Sequence, residues 1–283
     1  RRWLGRAATA RLVVMTRLLP LLSGLIAAAV TSQDPGAELR AWITDYESGA
    51  VRFQKDGLTD HQLVDSVDRI MAAVAARDTF ADARMLFEVA TLRPPAPSEP
   101  AAAVAFQREV QPWRVRAIAQ RHLRSMKTPN LLPWLLKKLR AKGLRAAEEN
   151  DDQRHAKAAL KVLAGHPSLE AKLELMHACG SLPNELRVHA VNAMAKDTEL
   201  DLVPTLLDLL RDREPNVRIA ACNAIGEAIR PHVDETEGKA PAGELLKQRD
   251  QAIKKLAALL KRDKVWQVRS AAAFSMANMR CKA

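Results

Sequence analysis

The chain has 283 residues, and its 44 Lys and Arg outweigh 33 Asp and Glu to give a net charge of +11. It is 48% hydrophobic but only 4% aromatic, an apolar content of Ala and Leu that suits helices packed on helices rather than an α/β enzyme. It has no convincing run of alternating β-branched residues, so no sheet is expected, and three cysteines do not make a disulfide framework.

Residues 1–29 contain five arginines and no acid. Residues 18–30 are an apolar run broken by Pro20, Ser23 and Gly24, and Ala27, Ala28 and Ala29 offer a small-residue cleavage site. This is the pattern of a secretory signal peptide, with Met15 as a natural start. The run is short for a membrane span. A buried or amphipathic first helix and an uncleaved anchor are the other readings.

Residues 30–93 are expected to form an N-terminal helical cap or divergent repeat, with residues 31–36 as a polar lead-in. A helix over 38–53 places Trp42, Ile43 and Tyr46 on one side. Thr59 or Asp60 caps a second helix with Leu63, Val67, Ile70, Met71 and Val74 on its apolar face. Residues 81–92 close a hairpin with it, turning Met85, Leu86 and Val89 inward. PPAPSEP at 94–100 is a stiff linker.

The array is expected over 101–283. After Pro112 a helix turns Trp113, Ile118 and His122 or Leu123 inward. Arg114, Arg121 and Arg124 fall within ~80° of one another on another face. Lys137, Lys138, Arg140 and Lys142 follow on the next helix. Residues 101–145 carry eleven basic groups and one acid, Glu109, so they hold most of the excess positive charge. Such a patch attracts an acidic protein segment, phosphate or anionic lipid; a solvated face balanced by acidic residues 30–100 is the plainer alternative.

Residues 131–139 and 156–163 read as one hairpin, and the acidic stretch 148–152 suits the start of its second helix. In 201–230 two helical patterns flank the turn 212–216. The first is expected to bury Leu202, Val203, Leu206, Leu207 and Leu210, the second Val217, Ala221, Ala224, Ile225 and Ala228. Small residues on the second helix let a neighbour approach closely. Residues 231–243 form a polar insertion. Its His232, Asp234, Glu235 and Glu237 could hold a divalent cation loosely, although a solvated loop is the default.

A phrase recurs on the second helices: apolar, Arg, then small residues three and six places on. Its copies are Leu186-Arg187-Ala190, Val217-Arg218-Ala221 and Val268-Arg269-Ala272, with Val115-Arg116-Ala119 a looser fourth that has His122 at the second small position. A hairpin of this kind cannot cover its own apolar face and must stack on others. The pattern resembles the HEAT-repeat family, including its short bacterial forms, over about 101–279. The resemblance implies an Asp in the inter-helix turn six residues before the Arg, linking successive repeats in a ladder. Asp212 with Arg218 and Asp263 with Arg269 match. Arg187 has Ser181 at that position and Arg116 has Val110, so the ladder is expected only at the C-terminal end. No capping sequence follows the last helix, and the array is expected to continue beyond it.

Catalytic signals are missing from the sequence. The iron-dependent HEAT-like hydroxylases use His-Glu pairs, and no His-Glu dipeptide occurs. No phosphate loop or nucleophile elbow is present. Cys179 and Cys222 lie in apolar helical patterns and read as core residues. Tryptophans in these helices read as packing residues.

The expectation is an all-α solenoid of stacked antiparallel helical hairpins, a HEAT-like superhelix of five or six units. It would act as a non-catalytic protein-interaction scaffold with no cofactor and no metal, secreted or periplasmic, with a cytoplasmic site as the alternative. Its partner would be an acidic protein docked on Arg114, Arg121, Arg124, Lys137 and Lys138. A nucleic-acid-binding protein resembling the HEAT-like DNA glycosylases, and a repeat module presenting a further C-terminal domain, are the competing readings.

Overall fold

The computed structural model describes residues 34–47, 60–93, 112–146, 148–195, 202–235 and 243–279. The leader pattern of 1–29, the linker 94–100, Glu237 and the end of the chain after Met279 lie outside the described residues, as do the side chains of His232, Asp234 and Glu235. The described residues form helices and no strand. The chain divides into two compact units, one of residues 1–74 with 93–111, the other of residues 75–92 with 112–283.

The first unit contains α1 (Pro35–Glu47) and most of α2 (Asp60–Ala76). Asp34 starts α1, accepting through its carboxylate from the Gly36 N–H at 2.9 Å. Leu39, Ile43 and Tyr46 are buried at a spacing of four and three, one helical face. Trp42 lies beside Tyr46 with ring centres 5.3 Å apart. On α2 the buried residues Val67, Met71 and Val74 repeat that spacing.

The second unit is an α-solenoid. Its helices are α3 (Phe80–Thr91), α4 (Pro112–Ser125), α5 (Leu131–Lys138), α6 (Asp151–Leu163), α7 (Leu169–Ser181), α8 (Asn184–Met194), α9 (Val203–Leu209), α10 (Pro215–Glu235), α11 (Gly243–Arg262) and α12 (Trp266–Asn278), with a 3₁₀ turn at Lys142–Arg145. They pair in chain order: α3 with α4, α5 with α6, α7 with α8, α9 with α10 and α11 with α12. The second helices also pack on one another in sequence, α4 on α6, α6 on α8, α8 on α10 and α10 on α12. Each hairpin thereby covers the apolar flank of the one before it.

Local sequence starts these helices where the structure has them. Thr79, Asn150 and Ser168 accept through their side chains from the N–H groups of Asp82, Gln153 and Ala171, the N-cap geometry that satisfies otherwise orphaned donors. Asp151 and Asp152 fill the first turn of α6, where a carboxylate meets the positive end of the helix dipole. Pro112 and Pro215 open α4 and α10, a position that needs no N–H. Asp78 takes the left-handed conformation (φ 49°). There its carboxylate accepts from the N–H groups of Lys127 and Thr128 at 2.9 and 3.1 Å, tying two turns together.

The core matches the helical periodicity. All five expected apolar residues of 202–210 and all five of 217–228 are buried. Burial of one such Leu or Ile is worth about 1.5–3 kcal/mol relative to exposure.

Helix α3, read within a cap or divergent repeat over 30–93, packs in the stack, where Ala83, Met85, Leu86, Phe87, Val89 and Ala90 are buried and α4 and α6 cover them. Three expectations differ from the structure. The insertion expected at 231–243 is helical through Glu235, and α11 begins at Gly243. Trp113, expected inward, is 63% exposed; Pro112, Val115, Ala119 and Leu123 supply the inner face of α4 at spacings of three and four instead. Trp266, read as packing, is 64% exposed.

Candidate functional site

The recurring arginines build the seam between hairpins. Arg187 on α8 donates to both carboxylate oxygens of Asp212, in the turn before α10, at 2.8 and 3.1 Å. Arg218 on α10 donates to both oxygens of Asp263, in the turn before α12, at 2.8 and 2.9 Å. Each bidentate pair joins one hairpin to the next. The six-residue spacing of Asp212 to Arg218 and Asp263 to Arg269 serves a different contact. Arg218 and Arg269 each donate to the backbone carbonyl of that turn Asp at 2.9 Å. The carboxylates also accept from the Glu214 and Val265 N–H groups two residues on. Arg187 therefore enters the ladder although Ser181 occupies its own turn position, because its partner lies in the following hairpin.

The five basic residues singled out on α4 and α5 do not form one free cluster. Arg124 turns across to α6, where Nε and Nη2 donate to the Lys161 carbonyl at 3.1 and 2.6 Å. It thus caps the C-terminal end of α6, and its half-buried position lowers its pKa. The Lys138 ammonium lies 4.9 Å from the centre of the Trp134 ring, a cation–π contact. Trp134 meets Phe80 and Phe87 edge-on, with centres 5.9 and 4.7 Å away. Arg121 and Lys137 are exposed, and Arg114 is half-exposed on the same helix face as Arg121.

A second surface runs over α8, α10 and α12, on the side that stacking leaves open. Between α8 and α10 a cleft is lined by Glu185, Val188, His189, Asn192, Asn216 and Asn223. Between α10 and α12 a second cleft of about 470 Å³ is lined by Asn223, Glu227, Trp266, Gln267, Phe274 and Asn278, among others. Asn223 belongs to both, so the two clefts adjoin. The arginines of these helices that form the ladder point into the seam, and neither cleft is lined by Lys or Arg. Sequence reasoning missed this face. A signal for it was present: Asn192, Asn223 and Phe274 each stand five residues after a ladder Arg.

Three histidines of the array have lowered pKa values. Burial is the main cause at His155, His166 and His189. Lys138 and Arg154 add to it at His155, and Lys157 and Lys161 add to it at His189 against Glu149 and Glu185. A base whose folded pKa lies below its unfolded value of about 6.5 binds its proton more readily in the unfolded chain, so stability drops as pH falls through about 6.5. The thermal midpoint is expected to be lower at pH 5.5 than at pH 7.5, and His189→Gln is expected to flatten part of that slope. A midpoint independent of pH over this interval would contradict the assignment.

Burial pushes the thiols of Cys179 and Cys222 up to about 12, which keeps both as unreactive core side chains. Among the described residues no group of three or more His, Cys, Asp and Glu is placed to hold a metal ion, and no helix is long and apolar enough to cross a membrane.

Compared with known families, residues 173–277 match HEAT repeats, a span running from α7 into α12. No curated protein matches the chain.

Proposed function

We propose that the chain, whose residues 173–277 match HEAT repeats, is a non-catalytic scaffold that binds a protein along the open face of α8, α10 and α12. HEAT repeats generally serve as protein-interaction scaffolds, which supports the general role. The observation that carries the place of docking is the set of side chains with no work inside the fold. Asn192, Asn223, Glu227 and Gln267 make no hydrogen bond or ion pair with another described side chain, and the rings of Trp266 and Phe274 stand 64% and 62% exposed beside them. Buried residues on the same helices pack in the stack. Exposed aromatic rings such as Trp266 and Phe274 are of a type enriched at protein interfaces.

A photo-crosslinking residue tests this. Placed at Asn223 it is expected to capture a single protein species in the native cell, and placed at Lys254, an exposed site on α11, to capture none. Adducts from Lys254 alone would move the docking surface to the first helices.

A further inference from the structure

We propose that the cleft between α10 and α12 receives a cationic side chain, arginine or lysine, from the bound polypeptide. This deepens the reading of the α8–α10–α12 face as the docking surface and rests on it. Glu227 offers an exposed carboxylate that makes no ion pair among the described residues. Trp266 and Phe274 line the same cleft. Ring faces attract a cation through their quadrupole, and a carboxylate accepts a guanidinium with two parallel hydrogen bonds. The apolar stem of arginine or lysine suits the ring surface while its head meets Glu227. An acidic side chain would be repelled by Glu227, and a neutral polar one would keep a hydrogen bond to it but lose the charge-assisted part and the cation–π contact.

Charge supports the same choice. The chain carries +11 overall, yet the acids Glu185 and Glu227 line the two clefts with no Lys or Arg, and burial lowers the pKa of His189 beside them. A locally negative strip on a basic protein selects a basic segment against an acidic one. Its length selects a polypeptide over a small free cation. Two intervals between neighbouring helices, at about 8–10 Å each, match five or six residues of extended chain at about 3.3 Å per residue.

The test uses the full chain with 5-fluorotryptophan, the Trp266 resonance being assigned through Trp266→Phe. The probes are a blocked heptapeptide with arginine at its centre, the same peptide with citrulline or glutamate there, and tetramethylammonium chloride. The arginine peptide is expected to shift the Trp266 signal. The citrulline and glutamate peptides should need at least about tenfold more for the same shift. Glu227→Gln and Phe274→Ala should each weaken the arginine peptide by about tenfold; both sites are exposed, and an unchanged thermal midpoint would show the fold intact. Equal binding of the citrulline peptide, no effect of Glu227→Gln, or no shift at Trp266 would overturn the cationic assignment. Equal binding of tetramethylammonium would replace the polypeptide by a free cation. If crosslinks from Asn223 persist while the arginine peptide fails, the docking face stands and the inference falls; if both fail, both fall.

Discussion

Replacing Arg218 by alanine is expected to destabilise the array by about 3–5 kcal/mol, because it strands a buried carboxylate. The side chains of Arg218 and Asp263 are only 13% and 6% exposed. Arg218 also donates to the Asp212 and Arg213 carbonyls, so one substitution releases contacts in two turns. At about 2–4 °C per kcal/mol for a unit of this size, the thermal midpoint should fall by about 10 °C. Arg218→Ala combined with Asp263→Ala should cost less than the sum of the two, since the second change removes the stranded charge. Additive costs would show that the pair contributes no coupling. Arg140 and Glu174 supply a contrast: Arg140 is 69% exposed in its pair, and Arg140→Ala should change stability by less than about 1 kcal/mol.

The same pair sets an acid limit. Burial pushes the Asp263 pKa up, but hydrogen bonds from Arg218 and the Val265 N–H and the charges of Arg218 and Arg269 outweigh it, and the pKa ends below the ordinary value. A carboxylate of this kind contributes its stability above the unfolded pKa of about 3.9 and loses it as pH falls through the folded value. The gap between the wild type and Arg218→Ala should be full at pH 7 and close as pH falls, starting above the ordinary carboxylate range, because without Arg218 burial is left to raise the Asp263 pKa and the variant takes up its proton first.

Gly226→Leu is expected to cost about 3 kcal/mol through overpacking. A Cβ at Gly226 would sit 3.2 Å from both Cα and Cβ of Ser275 and 3.3 Å from its Oγ. Here α10 and α12 approach closely enough for the Ser275 hydroxyl to donate to the Cys222 carbonyl at 2.6 Å. Leucine would put three more carbons into that contact and part the helices. Alanine would crowd Ser275 by a few tenths of an ångström while gaining up to about 1 kcal/mol of helix propensity, so Gly226→Ala should stay within about 1 kcal/mol of the wild type. Urea unfolding midpoints decide it: a leucine variant as stable as the alanine variant would mean that the contact can relax freely. In a stack where each hairpin touches only its neighbours, faster amide exchange in Gly226→Leu should appear first in α10 and α12.

The helices and their order were legible from local pattern. Leu206 and Leu207 read as buried, as do Val217, Ala221 and Ile225, because a 3.6-residue period repeats the core-facing direction along each segment. The phrase around Arg187, Arg218 and Arg269 marked the second helices for the same reason. The open face was half legible, through the shared offset of Asn192, Asn223 and Phe274, but not its clefts, which need two helices side by side. Nothing local tells Trp266, exposed beside Glu227, from Trp134, packed against Phe87.

Chain order and periodicity were thus enough to specify an all-helical stack and the residues that hold each hairpin together, since both arise from neighbours within a few turns. Partners across hairpins came from packing alone. Arg218 finds Asp263 forty-five residues away, and Arg124 reaches the Lys161 carbonyl rather than solvent, because the distance between two side chains in different helices depends on how the helices lie, a quantity no single helix carries.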